Sequence, residues 1–77
     1  MTLMEELRLL QNIHRLIARK GTGSVVELPR RYRVSRATVL RKINLLRSMG
    51  ANVYFCRQRN SYCYREKFEL NFESIIL

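Results

Sequence analysis

The hydrophobic period of this chain changes at Gly50, from 3.6 residues to two. Before it, Val39, Ile43 and Leu46 fall on one side of a segment running from Ser35 to Met49. Ser35 offers a hydroxyl to cap that helix, and Gly50 offers the left-handed residue on which helices commonly stop. After Gly50 come Val53-Tyr54-Phe55-Cys56 and Tyr62-Cys63-Tyr64, two β-branched or aromatic runs around a polar centre. That pattern reads as a β-hairpin, with Asn60-Ser61 as its two-residue turn. With this turn Cys63 faces Gln58, Cys56 lies diagonally across the same face, and Arg57 and Arg59 project near the tip. A capped helix running into a hairpin sets the class as α+β.

Upstream, Leu3, Leu7 and Leu10, then Leu9, Ile13, Leu16 and Ile17, recur at helical intervals across residues 3–19. Thr2 and Glu5 have capping-box spacing, and Glu5 and Glu6 suit the positive end of a helix. Arg19-Lys20-Gly21 close the segment, so helix one falls within residues 2–20. Leu9, Leu10, Ile13, Leu16 and Ile17 suffice for a small core, which leaves Leu3, Met4 and Leu7 in surplus. Gly21-Thr22-Gly23 is a loop, and Ser24 with Glu27 repeats the capping-box spacing. Pro29 would then sit past the first turn and delete a backbone hydrogen bond. The second helix is therefore either distorted or starts late, with Pro29 near its first turn. Tyr32-Arg33-Val34 makes a tight turn before Ser35. Residues 66–77 form an extended tail carrying Phe68, Leu70, Phe72, Ile75, Ile76 and Leu77.

Charge is distributed just as unevenly. Between Leu28 and Arg65 stand ten basic residues and no carboxylate: Arg30, Arg31, Arg33, Arg36, Arg41, Lys42, Arg47, Arg57, Arg59 and Arg65. The six acids (Glu5, Glu6, Glu27, Glu66, Glu69, Glu73) lie outside that window. So one-signed a surface repels itself unless a polyanion neutralises it. The arginine fork suits phosphate oxygens and the guanine edge better than an ammonium does. An apolar fraction of 47% excludes a disordered basic tail. No apolar run approaches a membrane span, and Met-Thr-Leu-Met-Glu-Glu lacks the pattern of a secretory signal. A cytoplasmic location is expected.

The 77 residues have room for one domain, 1–77, and none for a separate effector domain. Two cysteines make no disulfide framework in the cytosol, and Cys56, Cys63 and His14 do not match a zinc spacing. The cysteines read as small buried hydrophobes. With one His, no paired carboxylates in the middle of the chain and no glycine-rich phosphate loop, no catalysis is expected. Neither a metal, a cofactor nor a small-molecule ligand is implied.

Helix, short helix, tight turn, capped helix and basic hairpin, in that order, resemble the winged helix-turn-helix. Val34-Ser35-Arg36-Ala37-Thr38-Val39 followed by Ile43, Leu46 and Gly50 is similar to a run in the small N-terminal heads of bacterial transcriptional repressors. The likeness covers residues 10–64, with the helix-turn-helix at 24–49 and the wing at 52–65. Pro29 stands where that family usually has a small residue, and Arg33 where it often has glycine. Arg33 at positive φ would cost roughly 1 kcal/mol. The resemblance implies sequence-specific binding of double-stranded DNA by a small transcriptional regulator, with the third helix in the major groove.

At 100° per residue, Ala37, Arg41, Asn44 and Ser48 lie opposite the core stripe of that helix. Arg36, Leu40 and Arg47 flank them on one side, Thr38 and Leu45 on the other. Ser35 and Thr38 offer hydroxyls to phosphates or base edges, Arg36 and Arg41 can fork onto guanine, and Asn44 can pair with adenine. Arg57, Arg59 and Asn60 of the wing would meet the backbone or minor groove. Lys42 points sideways and reads as a solvated charge. The surplus apolar residues at both ends suggest a homodimer through the start of helix one, with a contribution from the tail. Alternatively, the tail folds back onto helix one of the same chain. A winged helix that binds protein, or an RNA-binding protein, are the rival readings. An acid-free arginine surface argues against a protein interface core, which would deplete or pair such charges.

Overall fold

The computed structural model describes residues 1–24 and 26–71. It contains three helices, α1 (Leu3–Ala18), α2 (Glu27–Tyr32) and α3 (Arg36–Ser48), then strands β1 (Val53–Cys56) and β2 (Ser61–Tyr64) paired antiparallel. The tail residues Phe72, Ile75, Ile76 and Leu77 lie outside the described residues.

Helix α1 begins on the capping box read from its sequence. The Thr2 hydroxyl accepts from the Glu5 N–H at 3.2 Å, and the Glu5 carboxylate receives the Thr2 hydroxyl at 3.0 Å. Those bonds from Thr2 hold the Glu5 carboxyl below the usual carboxylate range. The buried residues of α1 are Leu9, Leu10, Ile13, Leu16 and Ile17, the five its periodicity assigns to the core. The helix ends in a Schellman motif, with Gly21 N–H donating to Leu16 O at 2.9 Å and Lys20 N–H to Ile17 O at 3.0 Å. Lys20, not a glycine, takes the left-handed conformation there (φ 59°). That costs about 1 kcal/mol more than glycine would.

Helix α2 starts late. Capped by Ser24, it would place Pro29 where the ring meets the carbonyl four residues back. Starting at Glu27 makes Pro29 the third helical residue, whose N–H has no partner inside a helix in any case. The capping box is correspondingly displaced from the helix start. Glu27 accepts from the Ser24 N–H at 3.1 Å, while the N-cap, Val26, makes no side-chain cap bond. Arg33 follows α2 in the left-handed region (φ 54°), as the comparison with glycine anticipates. Helix α3 opens on Ser35, whose hydroxyl accepts from the Thr38 N–H at 3.1 Å. It closes on Gly50 (φ 104°), where Ala51 N–H reaches Leu46 O at 3.1 Å.

One core forms where the three helices meet the hairpin. Leu10, Ile13 and Ile17 of α1, Leu28 of α2 and Val39, Ile43 and Leu46 of α3 pack together with Val53 of β1. Phe68 and Leu70 also lie partly buried against this core. They are therefore not left over at the chain's end, as the sequence suggested. The Phe68 ring stands edge-on to His14 at 5.8 Å and tilted to Tyr64 at 5.3 Å.

The hairpin register differs from the expected one. Val53 pairs with Tyr64, Tyr54 with Cys63, Phe55 with Tyr62 and Cys56 with Ser61. The connection is the loop Arg57-Gln58-Arg59-Asn60, with Asn60 N–H donating to Arg57 O at 3.3 Å. A two-residue Asn60-Ser61 turn of the primed type needs positive φ at its first residue at least, and commonly at both. Asn60 is at φ 51°, but Ser61 is held in β2 by the loop after α1. Thr22 N–H donates to the Ser61 hydroxyl at 3.0 Å, and Tyr62 N–H donates to the Thr22 hydroxyl at 2.8 Å. Both side chains are buried, so this side-chain staple fixes where the strand begins. Cys63 consequently faces Tyr54 rather than Gln58. Cys56 remains diagonal to Cys63, and both are free thiols.

Candidate nucleic-acid interface

The outer face of α3 is free of the core. Ala37, Arg41, Asn44 and Ser48 are all exposed, and so are Arg36 and Arg47 beside them. Thr38 and Leu40 are half-buried at the margins. This face is polar because the helix buries only Val39, Ile43 and Leu46, a narrow stripe that leaves the rest to solvent. No acid occupies its first turn, so the positive end of the helix dipole is not offset locally.

Local hydrogen bonds order these side chains. Arg41 Nη2 donates to Thr38 Oγ1 at 3.1 Å, and Thr38 Oγ1 lies 2.9 Å from Ser35 Oγ. Farther along, Arg47 Nη1 donates to Asn44 Oδ1 at 3.1 Å while Nη2 donates to the Val53 carbonyl of β1 at 3.1 Å. Arg47 thus ties the end of α3 to the hairpin. Ser48 spends its hydroxyl proton on Leu45 O at 2.7 Å.

Arg30 and Arg31 of α2, Arg33 of the turn, Arg57 and Arg59 of the hairpin loop, and Arg65 after β2 are exposed as well. Among the described residues, none of the nine arginines between Leu28 and Arg65 forms an ion pair with a carboxylate. Arg65 instead lies over the Tyr54 ring at 4.3 Å, a cation–π contact. Asn60 is exposed at the loop end, beside Arg59.

Lys42 is the exception, and it corrects the sequence reading. Its ammonium lies 3.6 Å from Glu6 of α1, with the lysine side chain only 14% exposed. It is a clamp between two helices, not a solvated charge. Sequence alone had no way to place Glu6 beside it, because the pairing depends on how α1 crosses α3. The contact of Arg47 with Val53 depends instead on how the chain turns back after Gly50. Thr22 and Ser61 carried a weaker signal, as hydroxyls next to glycine and next to a turn.

Electrostatics elsewhere are those of a settled interior. His14 Nδ1 and the Tyr64 hydroxyl are 2.8 Å apart between α1 and β2. Burial pushes the His14 pKa down, with a further push from Arg15, and burial raises that of Tyr64 well above the ordinary tyrosine value. Among the described residues, no group of His, Cys, Asp or Glu is gathered to hold a metal ion. No described helix is long and apolar enough to cross a membrane. No family model matches the chain, and neither a curated protein nor a solved structure matches it.

Proposed function

We propose that this chain is a winged helix-turn-helix protein that binds double-stranded DNA and acts as a small transcriptional regulator without catalysis. In this reading α2 and α3 form the helix-turn-helix, α3 enters the major groove, and the hairpin loop is the wing. The observation that carries it is the set of nine exposed arginines without carboxylate partners, distributed over α2, the turn, α3 and the hairpin. Unneutralised arginine at this density is costly to the fold and favourable to a polyanion. Ser35, Arg36, Ala37, Thr38, Arg41 and Asn44 are the groove residues, and Arg57, Arg59 and Asn60 meet the backbone or minor groove.

Two copies bind together in this proposal. Met1, Leu3 and Met4 are 66%, 69% and 61% exposed at the start of a helix whose central apolar residues are buried. Pairing of two such helix ends would cover that surface and present two recognition helices to half-sites about one DNA turn apart. The test is a titration of the full chain against duplex DNA at two salt concentrations, with duplex RNA as competitor. If roughly five to seven phosphates are neutralised, log affinity falls with log salt at about 0.9 per phosphate. A flat salt response, or RNA displacing DNA at equal concentration, overturns the reading. Sedimentation at micromolar concentration tests the pairing, and a strict monomer on its DNA site excludes it.

A further inference from the structure

The hydrogen bonds along α3 bear on which atoms its outer face can offer, and at Arg41 and Asn44 they favour donors. Arg41 has only donors, and one guanidinium nitrogen is spent on Thr38. Asn44 carries both a carbonyl acceptor and an amide donor, and the pair together would be needed to read adenine. Its carbonyl oxygen, however, receives Arg47 Nη1 at 3.1 Å, and Arg47 is itself held by the Val53 carbonyl. One of that oxygen's two lone pairs is thus taken, while the Asn44 NH₂ group donates to nothing among the described residues.

We infer that α3 reads a run of hydrogen-bond acceptors on its target, so that Arg41 and Asn44 both select guanine rather than adenine. Arg47 is a positioning residue in this arrangement: it acts by occupying the Asn44 carbonyl. The inference rests on the duplex-DNA reading and names the target class of that same face. Guanine shows two acceptors, N7 and O6, in the major groove, whereas adenine shows one acceptor beside a donor. An amide whose oxygen already accepts from Arg47 gives its free donors to the first without loss, but must share its acceptor to take the adenine N6 amino group. Arg41 and Asn44 are separated by about 4.5 Å along the helix axis, and a base step rises about 3.4 Å. The two guanines are accordingly adjacent or one step apart. The adenine pairing expected of Asn44 from its residue type alone gives way to this.

The experiment is enrichment from a randomised duplex pool by the full chain and by the variants Asn44→Ala, Asn44→Asp and Arg47→Met. Wild type should enrich two guanines, each favoured about tenfold over adenine. Asn44→Ala should keep the guanine read by Arg41 and lose preference at the other position. Arg47→Met frees the carbonyl and should move that position toward adenine, a change that loss of stability alone would not produce. Should Arg47→Met fail to fold, Asn44→Asp decides the matter. It retains the partner of Arg47 but has no donor, so guanine preference at that position should vanish. Adenine at the Asn44-dependent position in wild type overturns this inference and leaves duplex binding standing. Unchanged guanine in Asn44→Asp overturns it as well. Failure to enrich any duplex, with no binding at low salt, overturns both.

Discussion

The seam between α1 and β2 and the exposed residues of α3 and the hairpin loop handle polar groups in opposite ways. In the seam every polar side chain singled out above has a partner within the chain: Thr22 with Ser61, and His14 with Tyr64. On the α3 side the side chains are ordered by one or two neighbours, yet the arginines keep unspent donors and have no counter-charge among the described residues. A buried polar group must be satisfied because water cannot reach it. An exposed guanidinium need not be, so a surplus of them reflects something other than folding. The seam holds the scaffold, and the α3 side is available to a ligand.

Truncating the core that joins the two regions should have the largest effect. Ile43 is fully buried on the inner side of the helix that carries the candidate interface. Ile43→Ala should destabilise by about 2–5 kcal/mol, read as a lower urea midpoint. In a chain this small, that is a large share of its total stability. Arg41→Ala should behave in the opposite way. Its melting temperature should stay near wild type while discrimination between duplexes falls by about 1–3 kcal/mol. Arg36→Ala should also relax discrimination. Arg59→Ala should weaken all duplexes about equally and lower the salt slope by about 1. If Arg41→Ala unfolds the chain, the division between scaffold and free surface is wrong.

Ser61→Ala probes the seam alone. It removes the acceptor of a buried Thr22 N–H, an uncompensated loss of about 1–3 kcal/mol. Stability should fall while the salt slope of duplex binding is unchanged. An equal loss of stability and slope would mean that the staple also sets the position of the arginine loop.

Periodicity was enough to find what it physically encodes. The five core residues of α1, the three of α3, the cap at Ser35 and the stop at Gly50 follow from local spacing and capping chemistry. The exposed face of α3 follows as the complement of its core stripe. Contacts between distant segments were not legible. The hairpin register was set by Thr22, some forty positions from Ser61, so a turn rule applied to residues 57–62 alone chose the wrong turn. Lys42 looked solvated because Glu6 reaches it only after α1 has packed. Pro29 was half legible: it announced a distortion or a late start, and the orphan N–H positions of a helix end decided for the late start.

The smallest expected effect concerns acid, and it separates the two regions by pH. On the seam side the group concerned is His14. Its pKa in the folded chain lies below the ordinary 6.5, chiefly because burial beside Tyr64 and Phe68 disfavours the imidazolium. The unfolded chain therefore binds a proton at a higher pH than the folded one. Stability is accordingly full above about pH 6.5 and declines as pH falls from there through the lower folded value, below which the loss is complete. The effect is modest because much of the ring meets solvent. A series of melting temperatures between pH 8 and pH 5 should show this decline in wild type, and it should shrink in His14→Gln. Glu5, whose carboxyl is held below the usual range, contributes its own decline at lower pH, and the variant leaves that part unchanged. A wild-type curve that superimposes on that of His14→Gln across this range would mean that the seam gains nothing from the neutral imidazole.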